Sequence, residues 1–248
     1  LPDSLIDLFP KARSVVRKFI IHVGPTNSGK TYEALQCFRN ANKGIYLAPL
    51  RLLASEVYFD TNKQGIPCHL ITGEEAIMTP NATHQASTIE MASINEEYDV
   101  AVIDEAQLLS DKQRGGAWTR AILGVCAKEI HICTSPDALY VLKELITRCG
   151  DQFELVNCER KTKLIWEDKP FHFPKNVEPY DAYIVFSKRA VLYCAAELKR
   201  NGVKASVIYG GLPYRVRQNE MERFVNGETQ VVVSTDAIGM GLNLPIRR

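Results

Sequence analysis

The sequence predicts an α/β protein of two units, each a parallel sheet covered by helices. Three observations carry this prediction. Apolar runs of strand length recur along the chain, stretches of helical composition separate them, and a charged, Pro-containing segment over residues 155–180 divides the pattern in two. Strands that are apolar throughout, rather than alternating, need cover on both faces, and that is how parallel sheets read.

In chain order, VRKFIIHV (16–23) reads as a buried strand, followed by a Gly-containing turn and the helical stretch TYEALQCFRN. GIYLAPL is a second strand, with RLLASEVYFDTNKQ as its helix, and IPCHLIT is a third strand followed by a loop. DVAVIDEA and EIHICTS are further apolar strands, and ALYVLKELITRCG is the helix behind the latter. After the charged segment, DAYIVFS, ASVIYG and QVVVST alternate with the helical KRAVLYCAAELKRNG and YRVRQNEMERFVNG. These readings give a first domain over 1–160, a crossover over 161–180 and a second domain over 181–248. The second has three strands where a doubly wound domain carries about five or six, so it reads as C-terminally incomplete.

The composition suits a soluble globular protein, with 46% hydrophobic and 24% charged residues. Thirty Lys and Arg against 29 Asp and Glu leave a net charge of +1, so any contact with nucleic acid must be local. Seven cysteines without a C-x-x-C pair point to a reducing compartment, and the five histidines show no metal-ligand spacing. No apolar run approaches the roughly 20 residues that span a bilayer, so no membrane role is expected.

Gly24, Pro25, Thr26, Asn27, Ser28, Gly29, Lys30 and Thr31 fit G-x-x-x-x-G-K-[ST] between a strand and a helix, the context this phosphate-binding loop requires. The glycines let successive backbone N–H groups wrap phosphates, with the helix N-terminus aimed at them. Lys30 is expected on the β- and γ-phosphates of ATP, and the Thr31 hydroxyl on Mg²⁺. Asp104 and Glu105 close an apolar strand and supply the acidic partner: Asp104 for the Mg²⁺ shell, Glu105 to orient or deprotonate the attacking water. The guanine-reading elements of small GTPases do not follow in order.

Other short segments then fall in a telling order. Asp104-Glu-Ala-Gln107, Ala48-Pro49-Leu50-Arg51, Thr72-Gly73-Glu74, Thr134-Ser135-Pro136, Val185-Phe186-Ser187 and Ser234-Thr235-Asp236-Ala237-Ile238-Gly239-Met240-Gly241 resemble the motifs of superfamily-two helicases of the DExH type. GPTNSGKT, TGEE, RGGAWTRAILG, VFSK and STDAIGMGLNLPIRR together resemble the Suv-three helicases, the RNA helicases of the mitochondrial degradosome and their bacterial relatives. The resemblance runs from about Lys18 to the C-terminus. It implies two RecA-like halves closing around Mg-ATP and ratcheting along single-stranded RNA or a duplex with an overhang. It also implies a ribonuclease partner, and a mitochondrial location in a eukaryote or a cytoplasmic one in a bacterium.

On this resemblance Pro49, Arg51, Thr72, Gly73, Ser187 and Thr235 are expected along the nucleic-acid strand, gripping phosphates without reading sequence. Gln107 is expected to report nucleotide state, and Asp236 and Gly239 to approach the nucleotide from the second half. Trp118 on its helix reads more readily as core than as a base-stacking platform, and the RGGAWTR stretch has no role derivable from sequence. The sixth helicase motif, with its arginine finger worth roughly 10³ to 10⁵ in rate, does not appear before Arg248, so the chain alone is expected to hydrolyse ATP poorly. Two other readings stay open: a DNA helicase or translocase, since phosphate grips do not distinguish sugars, and a nucleotide-gated RNA-binding scaffold.

Overall fold

The apolar runs become strands whose side chains are covered on both faces. A computed structural model describes residues 5–160, 163–239 and 244–248. It divides into two units between Lys163 and Leu164. In the first unit the order is α1 (Pro10–Arg13), β1 (Lys18–Val23), α2 (Lys30–Asn40), β2 (Gly44–Ala48), α3 (Arg51–Lys63), β3 (Cys68–Ile71), β4 (Ala76–Ile77), β5 (His84–Thr88), β6 (Glu97–Ile103), α4 (Gly115–Gly124), β7 (Cys126–Thr134), α5 (Leu139–Arg148) and β8 (Gln152–Asn157). Short 3₁₀ turns follow β5, β6 and β7.

These strands form one sheet in the order β4-β3-β5-β2-β6-β7-β1-β8, parallel except for the β3–β4 pair. β2 is buried along its whole length and β1 along all but Lys18, as a central parallel strand must be. The main core gathers Phe19, Ile21, Ile45, Leu47, Ile103 and Trp118, with Ile130 and Ile132 from β7. Arg17 is buried at the amino end of β1. It donates to the carbonyls of Ile122 and Val125, each at 3.0 Å, and pairs with Asp151, which ties β1 to the ends of α4 and α5.

Three strands depart from the sequence reading, the first being the two-residue β4, which pairs antiparallel with β3 in the stretch read as a loop. β5 is composed of His84, Gln85, Ala86, Ser87 and Thr88, too polar to read as a strand, yet it lies between β3 and β2 and is mostly buried. Its His84 is satisfied at both ring nitrogens, by the Phe38 carbonyl and the Thr83 hydroxyl, each at 2.8 Å. β8 carries the sheet edge into the segment read as the start of the crossover, and its largely exposed residues lack a continuous apolar run.

The second unit holds β9 (Ala182–Ile184), α6 (Lys188–Arg200), β10 (Ala205–Ile208), α7 (Tyr214–Val225) and β11 (Val231–Ser234), with a parallel sheet ordered β10-β11-β9. Val231 and Val233 face a core with Val191 and Leu198, while Val232 faces the opposite one with Ile208 and Phe224. This is the period-two alternation of a strand packed on both sides. Residues ahead of β9 also pack here: Phe171 and Phe173 lie against the Tyr183 ring, and Arg248 binds Asp181 and the Asn176 carbonyl. Among the described residues no helix is long and apolar enough to cross a membrane.

In open parallel sheets, ligand sites form beyond the carboxyl ends of the strands. The residues singled out by sequence follow those ends: Gly24 after β1, Pro49 after β2, Thr72 after β3, Asp104 after β6 and Ser135 after β7.

Candidate functional site

The chain turns sharply after β1 because two residues adopt the left-handed conformation, Asn27 at φ 59° and Gly29 at φ 85°. Asn and Gly are the residues that accept it at least cost. Such turns leave successive N–H groups converging on one point, an anion-binding concavity that opens directly into the N-terminus of α2. Packing fixes the start of the loop: a Cβ at Gly24 would lie 2.2 Å from the Cys158 carbonyl oxygen, so only glycine fits. Lys30 is 5% exposed, and its ammonium donates to the Pro25 carbonyl at 3.1 Å. The Ser28 hydroxyl is buried and has no partner, the orphaned polar group expected where a phosphate belongs. Thr26 is held from outside the motif by Arg160, whose guanidinium donates to its hydroxyl at 2.8 Å.

Asp104 is the buried acid of the site. Its carboxylate accepts from the Tyr46 hydroxyl at 2.9 Å, the Thr31 hydroxyl at 3.1 Å and the Glu105 amide at 2.9 Å. Burial pushes its pKa up to about 6, the Glu105 charge adds to the rise, and those three hydrogen bonds hold it back. The Thr31 hydroxyl and Asp104 carboxylate make an all-oxygen donor pair. That suits a hard divalent cation such as Mg²⁺, which takes few protein ligands and completes its shell with phosphate and water.

Glu105 sits at φ 48°, in the left-handed region that a glutamate adopts only under constraint. Gln107 holds it: the amide nitrogen donates to the Glu105 carboxylate, while the amide oxygen accepts from the Ser135 N–H at 3.3 Å. Gln107 therefore links the acidic pair to the segment after β7. Trp118, fully buried, donates its indole N–H to the Asp104 carbonyl at 3.0 Å. Arg114 pairs with Glu90 and donates to the Pro49 carbonyl. The RGGAWTR stretch thus props up both the acid and the loop after β2. Sequence reasoning missed these roles, because the partners lie 14 and 65 residues away.

Of the residues expected along a nucleic-acid strand, Arg51, Thr72 and Gly73 line one concavity of about 230 Å³, together with Glu74, Thr88 and Glu90. Arg51 starts α3 and pairs with Glu74. The Thr72 hydroxyl donates to the Glu75 carbonyl and accepts from the amides of Glu74 and Glu75, which shapes the turn. A side chain at Gly73 would meet nothing within 4 Å, so packing does not demand glycine there. In the second unit, Ser187 caps α6 by accepting from the Ala190 N–H at 3.1 Å. Thr235 donates its amide to the Ile208 carbonyl, and Asp236 and Gly239 bound a 3₁₀ turn after β11. Met240 and Gly241, the end of the fifth motif, lie outside the described residues.

Residues 6–158 match the family model described as the DEXQ-box helicase domain of Suv3. The chain belongs to the Suv3 helicase family. The DEXQ of that description is Asp104-Glu-Ala-Gln107, and residues 169–248 match the helicase conserved C-terminal domain. The mitochondrial ATP-dependent RNA helicase SUV3 homolog of Caenorhabditis elegans is 47% identical over 97% of this chain and 34% of its own length. Human mitochondrial SUPV3L1 is 43% identical over 97% of this chain and 31% of its own, and SUV3 of Saccharomyces cerevisiae is 43% identical over 97% and 34%. The chain spans about a third of the length of these relatives. Among solved structures, S. cerevisiae Dbp5 bound to RNA and ADP-BeF₃ aligns at a TM-score of 0.60, with 16% identity over 91% of this chain and 68% of its own. The helicase MrfA bound to DNA aligns at 0.61, with 19% identity over 90% and 40%. These likenesses show a helicase fold of RecA-like units.

Proposed function

We propose that this Suv3-family chain is motor core of an ATP-dependent RNA helicase, holding Mg-ATP at the loop after β1 and coupling its hydrolysis to movement on RNA. The convergence of Thr31 and Tyr46 on the buried Asp104, beside a phosphate loop with an unpartnered Ser28 hydroxyl, is the observation that carries this reading. The loop amides and Lys30 bind and orient the phosphates. Thr31 and Asp104 would hold Mg²⁺, which when bound neutralises charge on the β- and γ-phosphates. Glu105, fixed by Gln107, orients the attacking water and accepts its proton. Arg51 and the open backbone at Gly73, with Pro49 nearby in sequence, give a phosphate grip, and Thr72 keeps the turn in shape. In the second unit, Ser187 and Thr235 are assigned to the strand, and Asp236 and Gly239 to the nucleotide, by the resemblance of their motifs.

RNA is favoured over DNA by the names of the relatives at 43–47% identity, and those names also support a mitochondrial location, while a role in RNA turnover rests on the resemblance of the motifs. A ribonuclease partner remains part of the proposal. The test is ATP turnover by the whole protein with and without single-stranded RNA, for wild type and Glu105→Gln. RNA-stimulated turnover that Glu105→Gln abolishes while ATP still binds is the expected result. Turnover indifferent to RNA, or unchanged by the substitution, overturns the reading.

A further inference from the structure

Beside the phosphate loop, where β1, α2 and the segment after β8 come together, lies a group of side chains that the proposed hydrolysis does not use. His22 on β1, Glu33 on α2 and Cys158 after β8 bring their ligand atoms within 4.8 Å of one another. His22 is 4% exposed, and its Nδ1 is buried without a hydrogen-bond partner. We propose that His22, Glu33 and Cys158 form a binding site for a transition-metal dication, Zn²⁺ above all, at the base of the phosphate loop.

The hydrogen-bond chain behind His22 fixes which of its nitrogens is free. A carboxylate only accepts, so the His131 Nε2 that approaches Glu129 at 2.7 Å carries a proton. In neutral His131, Nδ1 is then an acceptor, and His22 Nε2 must donate to it across 2.8 Å. Neutral His22 is left with a bare lone pair on Nδ1. That lone pair faces the Glu33 carboxylate at 3.7 Å, another acceptor, and the Cys158 sulfur. Two acceptors and a thiol around one point are satisfied by a cation.

The same chain supplies what metal-ligating histidines have: a second nitrogen donating outward, here into His131 and Glu129, which fixes the tautomer and makes the imidazole a better ligand. One nitrogen, one sulfur and one carboxylate oxygen are ligand types of Zn²⁺, leaving the fourth tetrahedral position to water or an external ligand. On binding, the Cys158 thiol releases its proton to solvent and the sulfur bonds as thiolate. Glu33 is exposed on α2, which gives the ion an entry path. Cys37, Glu129 and His131 also come together, but His131 Nε2 is already taken by Glu129.

The position gives the site a consequence. The Cys158 N–H donates to the Val23 carbonyl at 2.7 Å, and its own carbonyl is the group that leaves no room for a Cβ at Gly24. A metal bridging His22, Glu33 and Cys158 would clamp β1, α2 and the end of β8 around the entrance of the phosphate loop.

The experiment titrates Zn²⁺ into the reduced, metal-free chain against a chromophoric chelator, and Co²⁺ in parallel by absorption. The proteins are wild type, Cys158→Ser, Glu33→Gln and Cys37→Ser. Neither Glu33 nor Cys158 is fully buried, so these two variants are expected to fold, with circular dichroism as the check. One ion per chain is expected, with a thiolate-to-cobalt charge-transfer band that Cys158→Ser removes. Affinity falls about tenfold or more in Cys158→Ser and Glu33→Gln and is unchanged in Cys37→Ser. No saturable uptake, uptake unchanged by Cys158→Ser and Glu33→Gln, or loss of the band in Cys37→Ser overturns the proposal.

Discussion

The indole N–H of Trp118 and the backbone carbonyl of Asp104 meet at 3.0 Å inside the core, so the residue proposed to hold Mg²⁺ is braced from behind by a side chain that sequence alone offers as simple filling. Trp118→Phe keeps most of the apolar contact but leaves a buried carbonyl unpaired. A loss of about 1–3 kcal/mol in urea unfolding is expected, with ATP turnover by the whole protein falling by more than ATP affinity. Unchanged stability would mean that the bond contributes nothing.

Two adjacent glycines respond in opposite directions. A Cβ at Gly115 would lie 2.1 Å from the Leu109 carbonyl oxygen, whereas at Gly116 it would meet nothing within 4 Å. Gly115→Ala is expected to destabilise the first unit by about 1–3 kcal/mol through overpacking. Gly116→Ala, inside α4, is expected to stabilise it by up to about 1 kcal/mol through helix propensity. Thermal melts of the two variants decide the matter.

Arg51 is restrained by its ion pair with Glu74, and both side chains are substantially exposed. Such pairs contribute little to stability, so their removal is expected to leave unfolding unchanged within about 1 kcal/mol. RNA binding separates the two: Arg51→Ala weakens it and lowers the salt dependence by roughly one counterion, while Glu74→Ala frees the guanidinium and tightens binding. Fluorescence anisotropy over a salt series with single-stranded RNA measures both signs. Equal weakening by the two variants would show that the ion pair itself, not Arg51, shapes the surface.

His84 gives the first unit a pH dependence. Burial depresses its pKa, with the bond to the Phe38 carbonyl opposing, so the folded ring stays neutral where the unfolded ring begins to take up a proton, near about 6.5. The unfolded state then binds more protons, and the contribution is complete above that pH and is lost as pH falls through the lower folded value. The urea midpoint is expected to drop on acidification from about pH 7 to about pH 5.5, with a shallower slope in His84→Gln. An equally steep slope in the variant would place the sensitivity elsewhere.

The phosphate loop, the acidic pair and most strands were legible because their signals are local: a fixed spacing between strand and helix, or an unbroken apolar run such as DVAVI. β5 was not, since a strand buried between two others normally reads as apolar, and this one meets its polar demands through partners such as Phe38 that are distant in sequence. β8 was hidden for the opposite reason, because an edge strand need not be apolar throughout. In the site, Tyr46, Arg160, Arg114 and Trp118 act through contacts 58, 134, 65 and 14 residues away, which no motif spacing encodes. His22, Glu33 and Cys158 come from three separate elements for the same reason.

The phosphate loop, the acids and the Arg51 concavity all follow the carboxyl ends of the strands, and none of the residues assigned to them lies on the opposite rim of the first sheet. That rim is stitched instead by lysine–carboxylate pairs, Lys43 with Glu96, Lys11 with Glu97 and Lys128 with Asp99. A dye or surface tether at the exposed Asn42 or Asn95 on that rim would leave the end that carries the candidate site unencumbered, and so offers a handle for testing the proposed movement on single molecules.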